Sequence, residues 1–293
     1  MFATLLGALP RPPLADDAPS DALLDACLAL QVELGLEPLT DGGWPLWTRD
    51  PVERWRATDA RTDGLVKAVI DGPLSSGRPV EHVRRDVVGL AEAGCRWIEV
   101  HEPSATRIGD DTDARRRFAE AHRELTADLG SDVHLSLAIT GGSGDGAGID
   151  TILAGAYASL ALDLIDGPDN WRLAVAAPTE RGIVCGAMSA HAGSHDGPEP
   201  LVWAAGYAAA SKSRGIARVG LATSGSLAGL SWDAASAKVR HLADAARLVT
   251  ATPEDRRVAL DPRSVDIRSA ALGRVEARPP AARRPMEGEP PDD

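Results

Sequence analysis

The sequence predicts an α/β protein of the (β/α)8 barrel class. Short apolar runs rich in β-branched residues alternate along it with longer stretches of helical periodicity, and eight such runs precede residue 250. Strict alternation requires parallel strands joined by crossover helices, and eight units in about 250 residues match a closed TIM barrel. An open, doubly wound sheet is the alternative. It is less favoured because residues 7–10, after the start of the first predicted strand, read GALP rather than GxGxxG.

Each predicted strand is a short apolar run that leads into a polar or glycine-containing turn. The eight runs are residues 4–9, 37–41, 65–70, 97–100, 133–139, 159–165, 182–188 and 218–222. The predicted helices carry apolar residues three and four positions apart, and several end at a glycine, as at Gly35 and Gly94. They span residues 20–34, 81–93, 113–129, 149–153, 171–176, 200–212 and 232–248. Residues 42–64 are interpreted as a polar insertion rich in tryptophan.

The barrel pattern ends near residue 250, where the composition changes. Residues 1–250 are predicted to form the barrel and residues 251–293 a C-terminal extension. From about residue 276 the extension is rich in proline and charge and poor in apolar residues, which predicts disorder. We therefore expect a single domain followed by a disordered tail.

The charge balance argues against two classes of partner. With 31 Lys and Arg residues against 43 Asp and Glu residues, the formal net charge is −12, and no basic run occurs. Nucleic acids and anionic membranes both require clustered positive charge, so neither is expected to bind. No apolar run reaches the roughly 20 residues that span a bilayer. The three cysteines are widely spaced and odd in number, which favours the reducing cytoplasm over a disulfide-bonded, secreted protein.

The candidate active site is expected at the carboxyl ends of the predicted strands, where barrel enzymes place their chemistry. The polar residues there are, in chain order, Asp41, Asp71, His101, Glu102, Ser136, Thr140, Asp163, Asp166, Ser189, His191 and Ser224. Carboxylates and histidines can exchange protons near neutral pH, so the candidate catalytic residues are Glu102, Asp163 and His191. The candidate substrate-binding residues are Asp41, His101, Ser136, Ser189 and Ser224.

Several of these residues also have a structural interpretation. Asp41 and Asp71 each precede a glycine, and Asp-Gly is a common turn that needs no ligand. Pro103 forces an extended backbone on the residue before it, which favours a functional role for Glu102. Asp163 interrupts the apolar run LALDLI, so its carboxylate needs a polar partner or a solvent-lined cavity, and we expect the cavity.

The tryptophans of the insertion are open to two interpretations. Trp44, Trp47 and Trp55 could form an aromatic wall for a flat ligand or could cap one end of the barrel. His134 is expected to be packed or at the surface, and His195 to be exposed. The sequence contains no zinc signature, Walker loop, GxSxG elbow or HExxH motif.

Between residue 4 and about residue 250, several segments occur in the same order and at the same spacing as the motifs of one known protein family. They read TLLGALPRP, GLEPLTDGG, KAVIDGP, EAGCRWIEVHEPSA, VHLSLAITGG, GIVCGAMSAH, RVGLATSGSL and WDAASAKVRHL. On these segments the chain resembles the catalytic barrel of the cobalamin-independent methionine synthases and their stand-alone relatives, in the superfamily that includes uroporphyrinogen decarboxylase. The resemblance implies a (β/α)8 barrel whose zinc ion makes a thiol such as homocysteine nucleophilic toward a methyl-tetrahydropteroyl-glutamate.

The family's zinc ligands map onto residues of a different kind in this chain. They are a His and a Cys two residues apart on the fifth strand, a Glu on the sixth strand and a Cys after the eighth. In this sequence the pair falls on Ser136 and Ala138, the Glu near Asp163, and the last Cys on or beside Ser224. His191, in contrast, matches the family histidine that is proposed to protonate the folate leaving group.

The substrate-binding positions of the family are also changed. The Glu that ends the family's second strand is Gly43 here, and the serine of its first-strand Gly-Ser motif is Ala8. In the family's DEP motif the Asp is replaced by His101, while Glu102 and Pro103 are kept.

The resemblance therefore implies a divergent member of the family. Serine and alanine hold zinc poorly, so we predict no metal site, assign no cofactor, and expect homocysteine methylation to be altered or lost. The expected partner is a small thiol or folate-like substrate. The alternative is a non-catalytic barrel that binds a small molecule or a protein. Decarboxylation of a tetrapyrrole has less support, because no arginine-rich N-terminal segment is present to hold several carboxylates.

Overall fold

The computed structural model describes residues 1–44, 48–130, 132–194 and 197–260, and its centre is a curled, all-parallel sheet of seven strands. The strands are β1 (Phe2–Thr4), β2 (Lys67–Asp71), β3 (Trp97–His101), β4 (His134–Ile139), β5 (Ser159–Asp163), β6 (Gly182–Met188) and β7 (Val219–Thr223). Their order across the sheet is β1-β7-β6-β5-β4-β3-β2. This order confirms the predicted α/β class with parallel strands.

One segment, residues 37–40, is hydrogen bonded to both edges of the sheet. The N–H of Glu37 donates to the carbonyl of Ala3 in β1 at 2.9 Å. On the other side, the N–H of Lys67 in β2 donates to the carbonyl of Leu39, also at 2.9 Å. The two edge strands of the curled sheet are thus joined through four residues of chain.

The predicted second strand is not a regular strand. Residues 37–41 contribute only an isolated parallel bridge between Leu39 and Val66. The physical reason is Pro38, which has no N–H to donate to a neighbouring strand.

The first strand is shorter than predicted and begins earlier. Residues 4–9 were expected to pair, whereas β1 ends at Thr4. Beyond it the N–H of Leu6 donates to the hydroxyl of Thr223 at 2.9 Å, so a side chain takes the place of a ladder partner. Gly7 then adopts a φ of 88°, which turns the chain out of the sheet.

Helices cover the outer face of the sheet. Their bounds are α1 (Ser20–Leu34), α2 (Pro51–Asp59), α3 (Pro73–Ser76), α4 (Val80–Glu92), α5 (Thr112–Thr126), α6 (Ile149–Ile152), α7 (Trp171–Ala176), α8 (Pro198–Ala210), α9 (Trp232–Thr250) and α10 (Pro253–Ala259). The predicted helices 20–34 and 171–176 have the bounds of α1 and α7. No helix of the described residues is long and apolar enough to cross a membrane.

Three helices were not predicted. The helix α2 lies within the tryptophan-rich insertion, where the Asp50 carboxylate accepts from two N–H groups of its first turn. The short helix α3 follows β2, and α10 lies in the C-terminal extension. The predicted disorder from residue 276 falls outside the described residues.

The core has two layers. The larger lies between the sheet and the helices, where α4 buries Val83, Val87 and Leu90 on one face. The smaller lies inside the curl of the sheet and consists of small or aliphatic side chains from several strands. Its buried members are Leu6, Ala138, Ala161, Val184 and Ala222. These residues fill the interior beneath β4 to β7 and leave the side near β2 and β3 to polar groups.

Candidate active site at the carboxyl ends of the strands

A pocket of about 280 Å³ lies at the carboxyl ends of β2 and β3, and we name it the mouth pocket. Its charged lining comes from two strand ends, from α2 and from the neighbouring loops and α4. These charged or ionisable residues are Asp41, Arg49, Arg54, Asp71, Arg78, Asp86 and His101. Three of the strand-end residues taken from the sequence, Asp41, Asp71 and His101, therefore converge on one cavity.

Four of the charged side chains in the mouth pocket are paired. Arg54 Nη2 lies 2.5 Å from Asp41 Oδ2, and Asp41 Oδ1 accepts from the N–H of Gly43 at 2.8 Å. Arg78 Nη1 lies 2.7 Å from Asp86 Oδ2. Asp41 thus makes the turn that its Asp-Gly sequence indicates and also contributes to the pocket wall.

Two charged side chains in the mouth pocket have no such pairing. Within the described residues, the Asp71 carboxylate and the Arg49 guanidinium make no hydrogen bond or ion pair. Both residues are exposed. Among the described residues, the pocket therefore offers one negative and one positive charge without a protein partner, which suits a small molecule with both an amine and a carboxylate.

A buried chain of charges leads from the interior of the sheet to the mouth pocket. Lys67 Nζ lies 2.8 Å from Glu99 Oε2, and Glu99 Oε1 lies 2.7 Å from His101 Nε2. Lys67 Nζ also donates to the carbonyl of Leu5 at 2.8 Å. Glu99 and His101 share the inner face of β3 because they are two residues apart on one strand. The side chains of Lys67 and Glu99 are 0% and 1% exposed, and that of His101 is 12% exposed.

The charges of this chain hold the His101 ring in one orientation. Burial would raise the pKa of the Glu99 carboxyl, but Lys67 and His101 lower that pKa to about 2. Burial lowers the pKa of the Lys67 ammonium, and Glu99 opposes that shift. An ionised carboxylate only accepts hydrogen bonds, so Nε2 of His101 donates to Glu99, and in the neutral ring Nδ1 is the nitrogen that accepts. That arrangement is typical of a general base.

Glu102, a predicted catalytic residue, is buried and is not part of the mouth pocket wall. Its carboxylate accepts from the N–H groups of Leu74 and Ser75 at 2.9 and 2.8 Å, and from the Ser75 hydroxyl at 2.7 Å. Its Oε1 also lies 3.3 Å from Nε2 of His122. Glu102 thus holds the short helix α3 in place, and Ser76 of that helix lines the pocket.

Asp163, the second predicted catalytic residue, is 1% exposed and is bound by backbone. Its oxygens accept from the N–H groups of Gly141 at 3.0 Å, Ile165 at 2.9 Å and Asp166 at 3.0 Å. Burial raises the pKa of the Asp163 carboxyl, although these three donors oppose the rise. The expectation of a solvent-lined cavity for Asp163 is corrected: its polar partners are backbone groups of the loops around it.

His191, the third predicted catalytic residue, lies in the loop after β6 and is 59% exposed. Its Nε2 lies 2.7 Å from Asp166 Oδ1. The hydrogen bond to Asp166 and the charge of that carboxylate raise the pKa of His191. The strands β4 and β5 separate β6 from β3 in the sheet, so His191 does not line the mouth pocket.

The three serines predicted to bind substrate also lie outside the mouth pocket. Ser136 is buried in β4, and its hydroxyl accepts from the indole N–H of Trp97 at 3.4 Å. The hydroxyls of Ser189 and Ser224 accept at 3.1 and 3.0 Å from backbone N–H groups of residues 190–191. All three hydroxyls therefore have protein partners.

The insertion tryptophans lie against the core where they are described. Trp55 is 8% exposed and donates its indole N–H to the carbonyl of Val66 at 3.3 Å, so it covers β2 and does not face a ligand site. Trp44 is partly buried against the same core. Trp47 and His195 lie outside the described residues.

The described residues contain no group of three His, Cys, Asp or Glu side chains that could hold a metal ion. All three cysteines, Cys27, Cys95 and Cys185, are buried and free. Burial raises the pKa of their thiols to about 12, 11 and 12 respectively. None is a thiolate near neutral pH, and the thiolate is the form that binds metals and acts as a nucleophile.

Sequence reasoning missed the buried pair Lys67 and Glu99 and the arginines of the pocket. A signal for the pair was present, since Lys67 interrupts the apolar run LVKAVI and Glu99 interrupts WIEVH. A charge inside such a strand requires a partner, which is the same argument that singled out Asp163. The arginines Arg49, Arg54 and Arg78 lie in loops and in α2. The spacing of residues in such segments does not indicate which way their side chains point.

The fold is that of known methionine synthase-like proteins. A B12-independent methionine synthase from Shewanella sp. W3-18-1, solved in complex with selenomethionine, is 13% identical, with 88% of this chain and 99% of that chain covered and a TM-score of 0.68. A putative vitamin-B12 independent methionine synthase from Listeria monocytogenes is 14% identical, with 86% and 98% covered and a TM-score of 0.70.

A third solved structure is more distant. A methyltransferase from Methanosarcina mazei is 12% identical, with 85% of this chain and 94% of that chain covered and a TM-score of 0.59. No protein-family model matches the chain, and no curated protein matches its sequence significantly. At these identities the similarity establishes the fold alone.

Proposed function

We propose that the chain is a divergent, methyltransferase-like relative of the cobalamin-independent methionine synthases that binds a small amino-acid-like molecule in the mouth pocket. The observation that carries the proposal is a pair of charges, Asp71 and Arg49, which have no partner among the described residues and line the same pocket as the carboxylate-bound His101. Residues 37–40 would serve as the eighth strand of a complete barrel, since they already bond to both edges of the sheet.

The proposed reaction is transfer of a methyl group to a thiol of the bound molecule. The S–H proton moves to Nδ1 of His101, and the resulting thiolate attacks the methyl carbon of a donor such as a methyl-folate. A sulfur–carbon bond forms, and the bond between the methyl carbon and the donor breaks with its electron pair left on the donor. The leaving group takes up a proton from solvent water, and the ionised Glu99 stabilises the imidazolium of His101.

The zinc ion implied by the resemblance does not fit the residues present. Ser136 accepts from Trp97, and Ala138 has no donor atom and lies in the apolar interior. Asp163 is occupied by three backbone N–H groups, and Ser224 accepts from a fourth. We therefore propose that zinc-dependent homocysteine methylation is lost, and the His101 route requires no metal.

Binding measurements test the pocket with ligands that carry both charged groups of an amino acid or only one of them. Isothermal titration would compare methionine with 3-(methylthio)propylamine, which keeps only the amine, and with 4-(methylthio)butyrate, which keeps only the carboxylate. We expect Asp71→Asn to weaken methionine and the amine about tenfold, or about 1.4 kcal/mol, and to leave the carboxylate ligand unchanged. Arg49→Gln should show the reverse pattern. Arg85→Gln, on the exposed face of α4, is the matched control and should change nothing.

Equal binding of all three ligands to every variant would contradict the proposal. Stoichiometric, tightly held zinc in the purified protein would contradict the metal-free mechanism. Charge-dependent binding without methyl transfer from any donor would favour the alternative, a binding module built on the same barrel.

A further inference from the structure

A second cavity, of about 420 Å³, lies at the opposite end of the sheet, among the N-terminal ends of the strands. We name it the basal cavity. The lining residues that matter for its chemistry are Phe2, Trp97, His134, Ser159, Glu180 and Arg218. The basal cavity and the mouth pocket share no lining residue.

The basal cavity exists because small residues line it. In barrels of this class, bulky branched side chains usually fill the interior in layers. At this end Gly182 of β6 pairs with Ser159 of β5, and neither has a side chain large enough to reach across. Ala158 and Ala217 stand at the rim and are exposed. The resulting volume lies within the range of about 300–1,000 Å³ that is usual for small-molecule sites.

One wall of the basal cavity is aromatic. The rings of Trp97 and His134 have centroids 3.9 Å apart and planes inclined by 33°. Phe2 meets Trp97 edge-on, with centroids 5.3 Å apart and planes at 77°. Aromatic faces and edges in this arrangement favour stacking with a further flat ring over contact with a branched aliphatic group.

The polar groups inside the basal cavity are neutral. Nε2 of His134 lies 2.8 Å from the hydroxyl of Ser159. Burial lowers the pKa of His134 to about 4, so the ring is uncharged near neutral pH. Among the described lining residues, charge lies at the rim, where Glu180 and Arg218 are both exposed. A charged ligand group would find no counter-charge inside, whereas a ring nitrogen or N–H could bond to the imidazole or the hydroxyl.

We propose that the basal cavity binds a neutral, planar heteroaromatic molecule of one or two fused rings. The ring would stack on Trp97 and His134, its heteroatoms would face His134 and Ser159, and a polar substituent would reach Glu180 or Arg218 at the rim. This site does not depend on the function proposed for the mouth pocket, because no residue is shared between them.

Tryptophan N–H spectroscopy tests the proposal directly. The chain has seven tryptophans, so the indole region of a nitrogen-15 spectrum contains few signals, and Trp97→Phe identifies the signal of Trp97. Indole, quinoline and adenine would be titrated as probes. We expect at least one to shift the Trp97 signal saturably, with one molecule bound per chain.

A blocked variant and a control complete the test. Ala158→Leu should fill the rim and weaken the binding at least tenfold, and Ala217→Leu provides a second block if the first variant does not fold. Ala60→Leu, an exposed alanine after α2, should bind as the wild type does. The proposal is overturned if none of the three probes shifts Trp97, if the shifts persist in both blocked variants, or if methionine displaces the probes.

Discussion

Two histidine–carboxylate pairs of the same length occupy different surroundings in this molecule. His101 lies 2.7 Å from Glu99, and His191 lies 2.7 Å from Asp166. Glu99 is 1% exposed and has a second, buried partner in Lys67, whereas Asp166 is 44% exposed. Water can replace either partner of the exposed pair, whereas the Glu99 carboxylate of the buried pair is out of its reach. The distance between two groups therefore says little about what they contribute, and burial decides it.

The largest expected difference between the pairs is in stability. Lys67→Met removes the partner of Glu99 and leaves a buried carboxylate without its counter-charge, which typically lowers the free energy of unfolding by about 3–5 kcal/mol. Urea unfolding followed by circular dichroism measures this change. Asp166→Asn breaks the exposed pair and is the matched control, with an unfolding midpoint close to that of the wild type. If both variants lose a similar free energy of unfolding, burial does not make the Glu99 pair more important to stability than the Asp166 pair.

A smaller difference is expected in acid. The pKa of Glu99 in the folded protein is about 2, below the value of about 4.3 for an unperturbed Glu. Its ionisation therefore stabilises the fold above about pH 4, and that stabilisation is lost as the pH falls through about 2. We expect this residue to account for on the order of 2 kcal/mol of the stability lost between pH 5 and pH 2.

The double variant Lys67→Met with Glu99→Gln isolates this acid effect, because it replaces both buried charges by neutral groups of similar size. Its free energy of unfolding should fall less steeply from pH 5 to pH 2 than that of the wild type. Asp166→Asn should follow the wild-type slope over the same range. An unchanged slope in the double variant would mean that Glu99 titrates normally.

The smallest effect is expected at the exposed pair of His191 and Asp166, and it concerns only the titration of His191. Asp166 raises the pKa of His191 through a hydrogen bond and through its charge. Asp166→Asn should therefore lower the midpoint of the His191 titration without altering the fold. The imidazole Cε1–H signal in proton NMR reports that midpoint. If the midpoint is the same in both proteins, the pair does not persist in solution.

The alternation of strands and helices was predictable because each element carries its own signal in the sequence. The helix α1 has both predicted ends, since Gly35 adopts a left-handed φ of 73° and stops it. The strand β6 also has its predicted bounds. The helix α2 was missed although Asp50 and Pro51 form a recognised start signal, because its polar composition hides the apolar periodicity.

The site was predictable only in part, for a different reason. A strand end can be located from sequence, but the groups that meet a side chain there come from distant parts of the chain. His101 and Asp71 reach the mouth pocket, while Glu102 turns toward the N–H groups of Leu74 and Ser75 in the short helix α3. No local sequence pattern indicates which backbone N–H groups will be available to donate to a carboxylate.

The pairing of β1 with β7 affects the order in which the strands of the sheet can assemble during synthesis. Phe2 pairs with Gly220, so one side of the first strand stays unpaired until more than two hundred further residues are available. On a ribosome, where the chain emerges from its N-terminus, residues 2–4 can bond to residues 37–40 early, but their other side must wait for β7. Gly7 and Ala8, which follow β1, line the mouth pocket. The candidate active site is thus completed late in biosynthesis, after most of the scaffold beneath it has formed.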